Sequence, residues 1–197
     1  MNKSIFAIVV SRFFDFYIVV PVISIILLLN FGISKFYLAG PILVMMPLIL
    51  FLIFLIFQIK KSNISDIDFD LSNMHDRLIS SFIVTIWLLS SDIVLSIYGL
   101  NQGLLHILYM LTLIILFATL ITIFWKISFH SIMITTLFIV VFIFYKEYSI
   151  IVALLIPVVW FSRLVLKKHN IYQLIGGSLL VLVLFSIFYN LGLIMIK

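Results

Sequence analysis

The chain contains no cysteine, which excludes disulfides, thiolate nucleophiles and thiolate metal sites. It is nearly as poor in charge. Charged residues are 10% of the 197, whereas hydrophobic residues are 65%. A soluble domain of this length has no means of hiding so much apolar surface. Glycine and proline are sparse, at 7 and 4 residues, so the apolar runs are long and seldom broken. They are also continuous rather than alternating, which excludes an outer-membrane barrel. What remains is an all-α polytopic membrane protein. The N-terminus "MNKSIFAIVV" lacks a small-residue cleavage site followed by a soluble domain, and it reads as part of the mature chain. A formal charge of +5 raises the question of nucleic acid. With so few charges on so apolar a chain, no nucleic acid is expected, and anionic lipid or a phosphate group fits better.

Breaks at polar or Gly/Pro positions divide the sequence into spans of roughly the 20 residues that a bilayer core of ~30 Å requires. They run from about Ile5 to Phe31, Leu38 to Phe57, Leu78 to Tyr98, Leu104 to Trp125, Ile132 to Tyr145, Ser149 to Leu166 and Ile171 to Ile196. Arg12 and Asp15 lie within the first, where charge is costly. That segment therefore reads either as a span with a mutually neutralising pair at its edge or as partly interfacial. Asn170 is placed to cap the last helix. The expected architecture is a bundle of six to seven transmembrane helices, one transmembrane domain over residues 1–197, with a polar loop at 58–77.

Three polar clusters interrupt the bundle: "QIKKSNISDIDFDLSNMHDR" (58–77), "KISFHS" (126–131) and "SRLVLKKHNIYQ" (162–173). Two spans separate each from the next, and two crossings return a chain to the same side. All three clusters are thus expected at one membrane face, with only short connections opposite. A site assembled from three loops would produce that asymmetry.

The third cluster reads S-R-x5-H-x3-Q, from Ser162 and Arg163 through His169 to Gln173. The second contains Ile127-Ser128-Phe129-His130. In the first, Asp70 and Arg77 stand in the form D-x6-R. In order and spacing these resemble the three motifs of the type 2 phosphatidic acid phosphatases, K-x6-R-P, P-S-G-H and S-R-x5-H-x3-D. The resemblance covers about residues 66–197, and "LIGGSLL" after the third motif is similar to the family's glycine-bearing last helix. It implies an integral membrane phosphatase that removes phosphate from a lipid phosphate or polyprenyl (di)phosphate through a phosphohistidine, without a cofactor or metal. By the same resemblance His169 is the nucleophile, His130 the proton donor to the leaving alcohol, and Gln173 the partner of His169. Arg163, Arg77, Ser128 and Lys126 hold the phosphoryl oxygens.

The chemistry of the residues agrees. A histidine that attacks phosphorus splits hydrolysis into two easier steps. Imidazole titrates near neutrality, as a general acid requires. Guanidinium groups hold the spread charge of a transferring phosphoryl group in bidentate fashion.

Three positions depart from the motifs. Gln173 stands where the family has aspartate; four residues from His169 on a helix, it faces the same way and can accept from the ring but brings no charge. Asp70 stands where the family has lysine, and it or Asp68 is a candidate for acidic support. Phe129 replaces a glycine, so the backbone there cannot approach a phosphate as closely.

Two other functions fit parts of the sequence. The run "DIDFD" suits a prenyl or phosphatidyl transferase that binds Mg²⁺-diphosphate, although such enzymes need a second carboxylate motif. A catalytically weak or inactive family member would bind lipid phosphate without turnover. Lys and Arg near span ends favour the cytoplasm. Lys3, Lys60, Lys61, Arg77, Lys126, Arg163, Lys167 and Lys168 on the motif side outnumber Lys35, Lys146 and Lys197, so the active face is expected to be cytoplasmic.

Overall fold

The computed structural model describes residues 3–31, 74–99 and 101–196. Their regular structure is entirely helical: α1 (Lys3–Phe13), α2 (Phe16–Phe31), α3 (Met74–Ile97), α4 (Gln102–Phe124), α5 (Phe129–Phe144), α6 (Ser149–Val165) and α7 (Ile171–Asn190). A 3-10 turn, Lys146–Tyr148, joins α5 to α6. Ser4–Phe31, Arg77–Ile97, Gln102–Phe124, Lys146–Val165 and Ile171–Asn190 are long and apolar enough to cross a membrane. This is the pattern of a multi-pass α-helical membrane protein. The expected span at 38–57, most of the polar loop, and Asp68 and Asp70 lie outside the described residues.

Two elements differ from the simple division into spans. The first stretch is not one helix. It breaks at Phe14–Asp15, where the Asp15 carboxylate takes the N–H of Phe16 at 2.7 Å. The Asp15 carbonyl then accepts from Ile18 N and Val19 N, each at 3.1 Å, and opens the ladder of α2. α5 is the other exception, with 16 residues, or about 24 Å at 1.5 Å per residue. It is also central. α2, α6 and α7 pack around it and α4 touches it, and Ile132, Ile134, Ile139, Val140 and Ile143 are all buried. A helix that is apolar all round belongs inside. α3 pairs with α4, α4 also with α7, and α1 lies along α6.

The distribution of polarity is that of a protein in lipid. Leu29, Ile97, Leu154 and Val183 are exposed, whereas Ser24, Thr85, Thr119 and Thr122 are buried. Each of these hydroxyls donates to the carbonyl four residues back: Ser24 to Val20, Thr85 to Ser81, Thr119 to Ile115 and Thr122 to Ala118. Thr85 and Thr119 also meet across α3 and α4 at 3.1 Å. Small hydroxyl residues let helices approach closely where lipid offers no hydrophobic drive to association.

α7 approaches the start of α5 most closely at Gly177. A Cβ there would lie 2.8 Å from the Ser128 carbonyl oxygen and 3.0 Å from Ser131 Cβ. Behind it, Ser131 Oγ donates to Leu174 O at 2.6 Å and receives Trp160 Nε1–H at 2.8 Å. The Ser178 hydroxyl joins Ser131 and Thr135 at 2.9 and 2.6 Å. This buried polar cluster clamps α5, α6 and α7 together just inside the face that carries Arg77, residues 126–131 and residues 162–173.

Candidate functional site

The turn between α4 and α5 is the hub of that face. The Trp125 N–H still bonds to Ile121 O, but the residue itself is extended and ends α4. Ser128 then caps α5, its hydroxyl oxygen accepting from Ser131 N at 3.4 Å. Between these points successive residues reach different neighbours. Lys126 Nζ donates to Lys168 O at 3.1 Å. Ile127 O accepts from Arg77 Nη2 at 3.0 Å. Ser128 N donates to Gln173 O at 3.3 Å. The Arg77 guanidinium also lies 5.9 Å from the centre of the Phe129 ring, a cation–π separation. The side chain that takes the glycine's place in the motif thus supports an arginine.

The connection from α6 to α7 is built by two matched caps. At the end of α6, Lys167 N–H bonds to Leu164 O and Lys168 N–H to Arg163 O, each near 3.0 Å. That pair of bonds is a Schellman cap, whose left-handed position usually falls to glycine; here Lys167 takes it, with φ 53°. At the start of α7, Asn170 Oδ1 accepts from Gln173 N at 3.0 Å, and Gln173 Oε1 accepts from Asn170 N at 3.2 Å. Asn170 is therefore the cap its sequence position suggests, and Gln173 completes a reciprocal capping box.

The capping box also decides the state of His169. A backbone N–H can only donate, so the Gln173 atom that faces Asn170 N is the carbonyl oxygen. His169 Nδ1 lies 3.0 Å from the same oxygen and must carry the ring hydrogen. In the neutral ring Nε2 then carries the lone pair. His169 is mostly buried, and its tautomer is fixed by a side chain that itself belongs to the helix cap.

The break between α1 and α2 meets the other side of the turn. Ala7, Val10 and Ser11 form the buried stripe of α1, spaced so that all three face the same way. At its end, Ser11 Oγ accepts from Arg163 Nη1 at 2.6 Å and lies 3.4 Å from His130 Nε2. Arg163 has no exposed surface. Asp15 Oδ1 stands 4.0 Å from the same His130 nitrogen.

Of the residues singled out from the motifs, Arg77, Lys126, Ser128 and Gln173 are joined through the α4–α5 turn, with His169 attached through Gln173. His130 and Arg163 are joined through Ser11. Ser128 is fully buried and serves as the α5 cap. Asp68 and Asp70, outside the described residues, have no place in this account. Sequence reasoning missed Ser11 and Asp15 as parts of the cluster. The only local signal was the cost of two charges in an apolar stretch, since the partners of Ser11 lie more than a hundred residues away.

An apolar cleft opens between α2, α3, α4 and α5, walled by Phe16, Val20, Ile23, Val84, Leu88, Ile114 and Met133 among others. Phe16 follows Asp15 directly, and Met133 lies three residues beyond His130, one turn deeper along α5. The cleft therefore begins about a helical turn from the polar cluster and leads into the bundle. No protein-family model, curated protein or solved structure matches the chain.

Proposed function

We propose that this chain is an integral membrane phosphatase acting on a lipid phosphate or polyprenyl (di)phosphate through a phosphohistidine. The observation that carries the reading is the His169–Gln173 bond. In the neutral ring that bond puts the lone pair on Nε2, and Gln173 joins the same α4–α5 turn that holds Arg77 and Lys126. In the reaction, Nε2 of His169 attacks phosphorus. The bond to the leaving oxygen breaks with its electron pair, and His130 gives that oxygen a proton. Water then attacks the phosphohistidine, His130 takes a proton from it, and phosphate departs with the lone pair of Nε2 restored. The arginines and Lys126 balance the charge on the phosphoryl oxygens; Ser128, whose oxygen caps α5, has its hydroxyl hydrogen to donate.

A second reading has one observation in its favour. Gln173 brings no negative charge to an imidazolium, as befits a protein that binds lipid phosphate with little or no turnover. Release of phosphate by the purified protein, from a panel of lipid phosphates without added Mg²⁺, separates the two. His169→Ala is expected to lower turnover by about 10³-fold or more, as loss of a nucleophile does, with the melting temperature in detergent unchanged. Retention of more than about a tenth of wild-type turnover removes His169 as the nucleophile. Binding of the same lipids without any release, in the wild type, leaves the second reading.

A further inference from the structure

We infer that Asp15, in the break between α1 and α2, is a positioning residue for proton transfer by His130. The inference rests on the reading of the chain as a phosphatase in which His130 handles the proton of the leaving group. It concerns a part of the chain that lies outside the three motifs.

The geometry is the argument. Arg163 is buried without exposed surface and reaches Ser11 Oγ at 2.6 Å; His130 Nε2 lies 3.4 Å from that oxygen. One hydroxyl group thus separates a permanent cation from an imidazole that must itself become a cation when it takes a proton. Two like charges so close are unfavourable in a site of low dielectric. Asp15 answers this. Its Oδ1 lies 4.0 Å from His130 Nε2, and the two side chains are 22% and 11% exposed, so water screens the pair only partly. At 4.0 Å the contact is too long for a hydrogen bond and becomes an ion pair when the ring is protonated. It provides one of the things that the carboxylate of a catalytic triad provides, a counter-charge for the imidazolium. With Nε2 turned toward Asp15 and Ser11, exchange with the leaving oxygen falls to Nδ1.

The carboxylate is itself held in place. Its Oδ1 accepts the Phe16 N–H at 2.7 Å, so the helix that Asp15 starts also aims it. This makes the charge separable from the fold, because the amide oxygen of an asparagine can accept the same N–H without the charge. Asp15→Asn removes the charge and keeps the cap.

The test compares two substrates, a lipid phosphate with a poor leaving group and a nitrophenyl phosphate whose leaving group needs no proton. His130→Ala is expected to lose about 10²-fold or more on the first and far less on the second. Asp15→Asn is expected to follow the same selective pattern, about tenfold or more in kcat on the lipid phosphate, with KM and melting temperature near those of the wild type. The double variant should be no worse than His130→Ala alone. Equal losses on both substrates, or no loss, overturn the assignment while the phosphatase reading stands. If Asp15→Asn fails to fold, Asp15→Ser keeps a capping oxygen without charge and is judged by the same criteria. Absence of turnover in the wild type overturns both readings together.

Discussion

Gln173 does two jobs with one oxygen. Its Oε1 accepts from Asn170 N and from His169 Nδ1, so both bonds ask only for an acceptor. A carboxylate satisfies the same geometry. It also adds negative charge at the first turn of α7, where the helix dipole favours it. Gln173→Asp and the longer Gln173→Glu are therefore expected to match or exceed wild-type turnover and to keep the melting temperature. Gln173→Leu leaves the ring of His169 without its acceptor. In a serine protease, a mis-set tautomer costs about 10⁴ in rate; here a loss of about 10²-fold or more is expected. Turnover measured across the three variants, beside their melting curves, checks this. A large loss in both acidic variants with melting unchanged would show that the amide itself is required.

Among the elements, α7 depends on two adjacent glycines that are not equivalent. A Cβ at Gly176 would come within 2.6 Å of the Trp125 ring, and one at Gly177 within 2.8 Å of the Ser128 carbonyl. The shorter distance is the less serious one. Trp125 is 39% exposed and its ring can swing away, whereas Ser128 O belongs to the backbone of the α4–α5 turn. Gly177→Ala is expected to cost about 1–3 kcal/mol, the range for overpacking a close contact, and Gly176→Ala clearly less. Gly177→Ala should also reduce activity. Pushing α7 away strains the bond from Ser128 N to Gln173 O, and with it the seat of His169. Thermal melts in detergent give the order, and the reverse order would refute the argument. The α1–α2 break belongs to the same scale, for Asp15 ends one helix and begins the next while facing His130.

For the whole molecule, the antiparallel order of the helices gathers the start of α3, the α4–α5 turn and the α6–α7 turn at one end. The opposite end holds simpler contacts. His106 Nδ1 bonds to Leu193 O at 2.9 Å, and Asn30 Nδ2 to the Tyr145 hydroxyl at 3.0 Å. Arg77, Lys126, Arg163, Lys167 and Lys168 belong to the first end and Lys146 to the second. Among these described residues, setting aside the three proposed to hold phosphate still leaves Lys167 and Lys168 against Lys146, and by the positive-inside rule the clustered face is expected in the cytoplasm. The chain has no native cysteine, so single cysteines report cleanly. With Ser62→Cys and Gln102→Cys in intact cells, a membrane-impermeant thiol reagent should label position 102 and spare 62. The opposite pattern would put the clustered face outside.

The sequence by itself determined the class of the protein, because hydrophobic content and run length decide whether a chain belongs in lipid, and no tertiary contact can change that balance. It also determined most helix limits in the described part, along with the Asn170 cap, since capping and periodicity are local. The shared face of the motifs followed from counting crossings. Tertiary structure decided what no count could reach. It made α5 a central helix rather than another lipid-facing span, because its neighbours bury it on every side. It broke the first apolar stretch at Asp15 and brought Ser11 between Arg163 and His130. It gave Phe129 a guanidinium to face and Gln173 a second bond. Each of these joins residues far apart in the chain, and a contact of that kind depends on how helices pack, which the local pattern of neither partner contains.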